Sequence, residues 1–448
     1  MPFVKFLKNK RYLTGIDWFV HTLDYMTKKE TCAGNSSQIV MQLEGKPEKE
    51  AIKKCLTLIE KKYPVLSGIQ KRAINLAPYW EMPLRKHTRH LSFNVKKVKD
   101  DADFYDVLSV LEECVNKSFD NKREHLAFYL VETGTKSYFA MTFDHRLFDA
   151  RGAEAFMGLM LQAELNKNDK NKDEQLSFAE PSHLNRWSKK FKAGKNVNRT
   201  FLRLAEKGMP NVLPLPRALK TSGFKFKLLS FSRQQSRLIV EAANDSAGYL
   251  MLMPYLLAVS VWIFQNVFTV KGVKTGDYVV PVAIDLRSSE KKIKEIFFNH
   301  MSFFMFLIES EKADDFLYVL KSIKKQMYDQ IKTGLPKDIR EASHLMRIVP
   351  LPVLSRLIRL HLKGQIGSFC FSYVGETEYP FSEFMGNRVN NIFHMPRVPV
   401  PPGLGMFFHQ FQGKLNLVLS YKKDMLSNDE ADTIIHSFSS MPELKWPV

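Results

Sequence analysis

Short apolar runs and amphipathic stretches alternate along the chain, and the alternation predicts both strands and helices. Residues 37–43 form an apolar run typical of a strand, and Pro47 then opens a stretch that extends to about Lys62. Within that stretch apolar residues recur at intervals of three and four, which gives a helix one buried face. The pattern therefore predicts a strand followed by a helix packed against a core.

Two further β-rich runs, residues 126–131 and 138–143, flank a polar segment that contains Gly134. Such a pair of runs is typical of a β-hairpin. The polar residues 144–151 follow directly, and beyond Gly152 the apolar residues return to a helical period. A polar loop between a strand and a helix is a place where a rigid scaffold presents side chains into a cleft.

Residues 166–175 contain no apolar side chain and predict a linker. We therefore divide the chain into an N-terminal half (1–175), a crossover (176–215) and a C-terminal half (216–448). Strands and helices mix in both halves without the regular alternation of a dinucleotide-binding fold, so the predicted class is α/β, with mixed α+β sheets. In the second half we predict strands at 224–232, 278–286, 368–374 and 414–421, and helices at 234–243, 314–362 and 429–438.

The run 249–270 is apolar over nearly the ~20 residues that span a bilayer. Pro254, Gln265 and Asn266 interrupt it, and it lies mid-chain between segments that have the pattern of ordinary globular elements. A fully buried helix of a large domain has the same composition. We therefore predict a buried helix here, with a membrane helix as the alternative.

Composition narrows the classes of partner. The chain has 448 residues and a formal net charge of +19, which suits nucleic acid, an anionic membrane surface, a phosphorylated cofactor or an acidic carrier protein. The cations are spread along the whole chain without a nucleic-acid-binding motif, so we predict no nucleic-acid partner.

The four cysteines form no CxxC pair and have no metal-ligand spacing, which predicts neither disulfides nor a metal site. The basic start of the chain is followed by no signal-peptide pattern. We therefore expect a cytoplasmic protein.

Chemistry concentrates in the polar loop. Of the 12 histidines, His145 has an aspartate, Asp149, four residues further on. A histidine suits a reaction that first removes a proton from an attacking hydroxyl or amine and then returns it to a leaving group, because its pKa lies near neutrality. Asp149 would either hold the loop by pairing with a cation or bond to the imidazole. The alternative is structural: a strand-end histidine, with Asp149 capping the helix that begins near Gly152.

Blocks in several parts of the chain resemble, in order, a known superfamily. It contains chloramphenicol acetyltransferase, nonribosomal peptide condensation domains, wax ester synthases and alcohol O-acetyltransferases, and its HHxxxDG motif is similar to Asp144–Asp149. The other similar blocks are Gln42–Gly45 with Tyr63–Leu66, Val280–Arg287 with Asn299, Ser372–Gly375, and Pro401–Gly405 through Tyr421.

The resemblance implies two chloramphenicol acetyltransferase-like halves in a V, with a tunnel between them. It implies that His145 is the catalytic base and that Asp149, also counted with the catalytic pair, forms a structural ion pair with Arg287. The activity implied is transfer of an acyl group from a thioester, acyl-coenzyme A or a phosphopantetheine thioester, to an alcohol in one direct step, with no bound cofactor. The residues implied at the tunnel or substrate are Asp144, Ser372, Gly375, Gly403 and Asn299.

The chain departs from the family pattern at two positions. Asp144 stands where the family has its first histidine, and Ala150 stands where it has glycine, with Gly152 two residues later. Two alternatives therefore stay open. One is an amine acceptor or a donor held on an acidic acyl carrier protein, and the other is a non-catalytic member that binds such a carrier or another partner.

Two further groups of residues have both functional and structural interpretations. His394 and His409 either line the tunnel or are structural histidines. Four cations either hold coenzyme A phosphates, a phosphopantetheine arm or lipid head groups, with peripheral membrane contact, or form a solvated basic face. These cations are Arg347, Arg356, Arg359 and Lys363.

Overall fold

The computed structural model describes residues 9–83, 91–119, 121–165, 187–216, 221–273, 276–288 and 295–443, and the predicted linker 166–175 lies outside them. The described part contains eleven α-helices. They are α1 (Gly15–Glu30), α2 (Lys49–Lys62), α3 (Phe104–Asn116), α4 (Ala150–Leu165), α5 (Trp187–Glu206), α6 (Arg233–Ala247), α7 (Leu252–Val270), α8 (Phe316–Thr333), α9 (Leu335–Met346), α10 (Leu351–Leu360) and α11 (Asn428–Ser439).

Fifteen strands in the described residues form one small and two large sheets. They are β1 (Lys10–Tyr12), β2 (Ser36–Glu44), β3 (Ile69–Arg72), β4 (Pro78–Glu81), β5 (Ser92–Lys97), β6 (Leu126–Glu132), β7 (Lys136–Asp144), β8 (Phe224–Ser230), β9 (Tyr278–Asp285), β10 (Met301–Ile308), β11 (Cys370–Glu376), β12 (Glu383–Phe384), β13 (Asn387–Pro396), β14 (Leu404–Phe411) and β15 (Lys414–Lys422).

The first large sheet has the order β12-β13-β2-β7-β6-β5 and contains the predicted hairpin as β6 and β7. Both of its faces are covered, so its central strands are apolar at nearly every position rather than at every second one. On β6, Phe128 packs in the same core as α2 and α4, whereas its neighbour Tyr129 packs in the core that contains α3. This double cover fixes β7, and β7 leads directly into the loop that carries His145.

The second large sheet has the order β10-β9-β11-β14-β15-β8 and supports the largest core, formed with α6, α7, α8 and α11. Helix α7 is long and apolar enough to cross a membrane, and 61% of its most apolar window is buried inside the protein. Tyr255, Leu256 and Phe264 of this helix are fully buried in the core. The structure therefore gives α7 the place of the buried core helix that we predicted.

One segment of the predicted C-terminal half belongs to the first sheet. Strands β12 and β13 come from the predicted C-terminal half, 216–448, yet β13 pairs with β2 of the first sheet over most of its length. Helix α5 occupies much of the predicted crossover 176–215 and packs on α9, where Asn196 donates a hydrogen bond of 2.6 Å to Asp338. The order of residues in the sequence thus does not follow the division into sheets.

A reciprocal pair of side-chain amides joins β13 of the first large sheet to β15 of the second. Asn391 on β13 and Asn416 on β15 each donate to the side-chain oxygen of the other at 3.0 Å. Asn416 also donates to the backbone oxygen of Ile392. Both amides are buried, and Ser230 on β8 completes the group: its hydroxyl donates to the side-chain oxygen of Asn416 at 2.6 Å and accepts from the Asn391 amide at 3.1 Å.

We predict that Asn391→Ala lowers the free energy of unfolding by about 1–3 kcal/mol, because the buried amide of Asn416 loses the two hydrogen bonds that it shares with Asn391. Urea denaturation measures the change. Asn428→Ala is the control, since Asn428 is exposed at the start of α11, and it should change stability far less. Equal effects of the two substitutions would contradict this role for the amide pair.

Candidate active site

His145 lies in the loop between β7 and α4 and borders a cavity of about 580 Å³. The walls of the cavity come from both large sheets and from helices α1, α5, α9 and α10, and their side chains are mostly apolar. An apolar cavity with a few polar groups is the usual form of a small-molecule site. Its position between the sheets corresponds to the tunnel that the sequence resemblance implies.

Backbone contacts fix the position of His145. Its N–H donates to the backbone oxygen of Asn35 at 3.1 Å, and its carbonyl accepts from the Asn299 side chain at 3.1 Å. Asn299 is held in turn, because its N–H donates to Asp17 on α1 at 3.0 Å. The loop is thus held from both halves, while Nδ1 of His145 has no hydrogen-bond partner among the described residues.

Arg287, directly after β9, binds Asp149. Its Nη2 lies 2.9 Å from each carboxylate oxygen of Asp149. The same carboxylate accepts from the N–H of His300 at 2.9 Å and from the N–H of Gly152 at 2.8 Å. Asp149 therefore both pairs with the arginine and caps helix α4, so the two roles considered from the sequence coexist.

The buried ion pair keeps Asp149 ionised. Burial would by itself raise the pKa of this carboxyl, but the positive charge of Arg287 and the hydrogen bonds from His300 and Gly152 lower it below its ordinary value. Arg287 is almost fully buried and has a second carboxylate, Asp285, at 3.0 Å from Nη1. The loop that carries His145 is thus anchored to the second half by a fully paired charge.

Asp144 faces the protein interior and is not among the residues that line the cavity, contrary to our prediction. Its carboxylate accepts from Nε of Arg146 at 2.9 and 2.8 Å, and Nη2 of Arg146 also contacts it. Burial would raise the pKa of Asp144, but the Arg146 charge lowers it well below its usual range. The side chain pairs with Arg146 because an ionised carboxylate has no partner in an apolar cavity.

Residue 152 is the position in this loop that has no room for a side chain. A Cβ on residue 152 would lie 2.2 Å from the backbone oxygen of Ile296, so this position requires glycine. Ala150 borders the cavity instead. The close approach of the two halves therefore depends on position 152 in this chain.

Of the other residues predicted at the tunnel, Ser372 on β11 lines the cavity. Gly375, Gly403 and Asn299 do not, and each has a structural position instead. Gly375 lies at a shift of register between β11 and β14, Gly403 takes a φ of +73° in the turn before β14, and Asn299 holds the backbone of His145. The sequence places them near the site, but their contacts are with the chain itself.

His394 on β13 and His409 on β14 are buried, line the cavity and converge on Glu154 of α4. Nε2 of each ring lies 3.1 Å from Oε1 of Glu154, and Arg151 donates to the other carboxylate oxygen at 3.0 Å. Burial would raise the pKa of Glu154, but hydrogen bonds from both histidines and the charge of Arg151 lower it. The sequence gives Glu154 no prominence, because its partners lie about 240 positions away.

The four cations near α10 separate into two kinds. Arg347 is buried, so its side chain does not face ligands or lipid at the surface. Arg356 and Lys363 are exposed, and Arg359 is partly exposed. Leu357 on α10 and Asn198 on α5 border the cavity and are also exposed, so this part of the cavity wall, which we call the cavity mouth, reaches the protein surface.

Solved structures with the same fold include enzymes of nonribosomal peptide synthesis and an acetyltransferase. The trichothecene 15-O-acetyltransferase of Fusarium sporotrichioides aligns with a TM-score of 0.69 and 12% identity, over 97% of this chain and 95% of that one. The first condensation domain of the calcium-dependent antibiotic synthetase, bound to a substrate analogue, aligns with a TM-score of 0.69 and 11% identity, over 97% and 96%. No protein-family model and no curated protein sequence matches the chain.

An epimerization domain from the third module of tyrocidine synthetase B has the same fold, with a TM-score of 0.61 and 13% identity over 97% of this chain and 96% of its own. The mixed α/β fold that the sequence resemblance implies is therefore confirmed. At these identities the fold alone is shared, and one fold hosts more than one chemistry. The function has to be argued from the site.

We predict that Asp149→Asn lowers the free energy of unfolding at pH 7 by at most about 3–5 kcal/mol, because it removes the buried partner of Arg287 and leaves this arginine only the partly exposed carboxylate of Asp285. The pKa of Asp149 is lowered in the folded state, so its stabilisation is present above the ordinary aspartate pKa of ~3.9 and is lost as the pH falls through the lower folded value. The difference between wild type and variant should therefore shrink in acid. Urea denaturation at several pH values measures it.

Asp285→Asn is the matched control, because Asp285 contacts the same arginine but is partly exposed. We expect it to cost less than about 1 kcal/mol. If both substitutions had the same effect, or if the Asp149→Asn difference did not change with pH, the anchoring role of the pair would be wrong.

Proposed function

We propose that this protein is an acyltransferase that moves an acyl group from a thioester to an alcohol, with His145 as the general base. The observation that carries the proposal is that His145 borders an apolar cavity and that its backbone is held by Asn35 from one half and by the Asn299 side chain from the other. A base must be held within reach of the proton that it removes, and a rigid loop meets that need.

In the proposed reaction His145 takes the hydroxyl proton as the alcohol oxygen attacks the thioester carbonyl. The tetrahedral intermediate carries a negative charge on the former carbonyl oxygen, which needs hydrogen-bond donors. Ser372, on the cavity wall, is our candidate donor. When the intermediate collapses, the carbon–sulfur bond breaks and the proton held by His145 passes to the thiolate. No acyl-enzyme and no bound cofactor take part.

Asp149 acts in this proposal through the loop rather than on substrate. Its carboxylate is occupied by Arg287 and two backbone N–H groups, and no bond to the imidazole is present among its contacts. The same contacts bear on the alternative of a non-catalytic member. Asp144 and Ala150, the two departures from the family pattern, are both accommodated in the loop. Arg146 pairs with the carboxylate of Asp144, and Gly152 allows the loop to pack against the backbone of Ile296.

The donor is proposed to be acyl-coenzyme A, whose phosphates suit a chain with a formal net charge of +19. The alternative donor is an acyl group on the phosphopantetheine arm of an acidic carrier protein, with an amine as a further class of acceptor. The fold is shared with a condensation domain, which keeps this alternative open. A cytoplasmic location stays part of the proposal.

Thiol release from an acyl-coenzyme A panel, with a panel of alcohols and amines, tests the proposal. We predict that His145→Ala lowers the rate by about 10²–10⁴-fold, the usual contribution of a general base. His436→Ala is the control, because His436 is exposed on α11 and does not border the cavity. A rate unchanged in His145→Ala, with the same products, would contradict the proposed role, and activity only with a carrier-bound donor would select the alternative.

A further inference from the structure

The cluster of Glu154, His394 and His409 has the composition of a metal site. Two imidazoles and one carboxylate are a common donor set for Zn²⁺ and other first-row divalent ions. The three donor atoms lie within 4.8 Å of one another, and both Nε2 atoms lie 3.1 Å from the same oxygen, Oε1 of Glu154. Ligands about 2.0–2.1 Å from a tetrahedral ion are separated by roughly 3.3 Å, which is close to the distance from each histidine nitrogen to the carboxylate oxygen.

The carboxylate of the cluster is also held by a neighbouring group. Its members lie on α4, β13 and β14, and all three are buried. Arg151 donates to the second oxygen of Glu154 at 3.0 Å and to the backbone oxygen of Glu376 at 2.6 Å, which orients the carboxylate. Metal-binding carboxylates are usually held by such outer hydrogen bonds. Thr377, 2.6 Å from Nε2 of His409, is the remaining polar contact of that nitrogen.

We propose that Glu154, His394 and His409 bind a divalent transition-metal ion at the wall of the cavity. Three protein ligands leave a coordination position open, and the two histidines border the cavity, so the fourth ligand would be water or a substrate oxygen. The sequence gives no signal of this site, because its three ligands come from distant segments of the chain and none of them is a cysteine. The proposal does not depend on acyl transfer, and its test measures binding rather than turnover.

The probe is Co²⁺ added to the full-length protein after dialysis against a chelator and then against metal-free buffer. We predict one bound Co²⁺ per chain, with the visible absorption of a four- or five-coordinate ion, which Zn²⁺ displaces. His394→Gln, His409→Gln and Glu154→Gln should each weaken binding by at least about 100-fold, since loss of an outer-shell partner alone costs 10–100-fold. His436→Gln, an exposed histidine, should leave binding unchanged.

Zn²⁺ should also raise the Tm of the wild type and not that of the three variants, because a ligand that binds the folded state stabilises it. This comparison uses folded variants only, which circular dichroism checks. Wild-type protein without a stoichiometric Co²⁺ spectrum would overturn the proposal and leave a hydrogen-bonded cluster. A spectrum that survives in all three variants would overturn it as well.

A different observation concerns the outer surface around the cavity mouth. Helices α5 and α10 border the mouth and expose large apolar side chains. Phe191 is 60% exposed, for example, and Leu360 is 69% exposed. On α5 these residues recur at helical spacing and form one stripe. The exposed apolar residues of the two helices and the turn before α10 are Trp187, Phe191, Leu202, Ile348, Val353, Leu357 and Leu360.

The charged residues of these two helices are nearly all positive, although Lys190 is buried and Lys189 pairs with Glu341 of α9. Helix α5 contains six Lys or Arg residues in the sequence WSKKFKAGKNVNRTFLRLAE and ends at its one acidic residue, Glu206. Helix α10 adds Arg356 and Arg359 and has no acidic residue. Apolar side chains flanked by cations on a surface helix are typical of binding to anionic membranes.

We infer that α5 and α10 dock on an anionic bilayer, with the mouth of the cavity facing the lipid. The combination of bulky apolar side chains with flanking cations favours a bilayer over an acidic carrier protein as the occupant, because the cations match its surface charge while the apolar residues enter the interface. A lipophilic substrate would then reach the cavity without crossing water. Docking itself does not require the proposed acyl transfer.

Sedimentation with phosphatidylcholine vesicles, with and without phosphatidylglycerol, tests the inference. We predict binding to the anionic vesicles that weakens with salt, at least roughly tenfold weaker in Arg199→Gln/Arg203→Gln, since each cation near the surface contributes about 1 kcal/mol. Phe191→Ser/Leu360→Ser should also weaken it, whereas Val270→Ser, an exposed apolar residue on α7, should not. No vesicle binding, or binding only to an acidic carrier protein, would overturn the inference.

Discussion

The buried pair of Asp149 and Arg287 is the interaction on which the site depends. It joins the loop after His145 to the segment after β9, and so connects the two large sheets directly at the cavity. A buried ion pair contributes little net stability by itself, but breaking one partner is costly. The pair therefore acts as a fixed point: the loop keeps its shape only while the second half is in place.

The first sheet also depends on the C-terminal part of the chain, through β12 and β13. A segment from the C-terminal part of the chain completes the first sheet, and Asn391 ties it to Asn416 in the second. His394 lies on β13, so one wall of the cavity is built from both halves. The cavity, the loop of His145 and the cluster around Glu154 are consequently parts of one packing unit.

Much of the local structure could be predicted from the sequence, because it rests on short-range patterns. The hairpin of β6 and β7, the buried helix α7 and the loop of His145 follow from apolar periodicity and turn residues. The direction of the Asp144 side chain could not be predicted, since it depends on the ion pair that its carboxylate forms with Arg146. The convergence of Glu154 with His394 and His409 could not be predicted either, because contacts across about 240 residues leave no periodic signal.

The central claim is that an acyl thioester reacts beside His145, and a structure of the protein with a bound non-hydrolysable acyl-pantetheine analogue tests it most directly. The account predicts the analogue in the cavity, with the carbon that mimics the thioester carbonyl next to a space for the acceptor oxygen. That oxygen would lie within about 3–3.5 Å of both the carbon and the His145 imidazole. An analogue bound outside the cavity, or one whose carbonyl mimic lies beyond the reach of His145, would contradict the account.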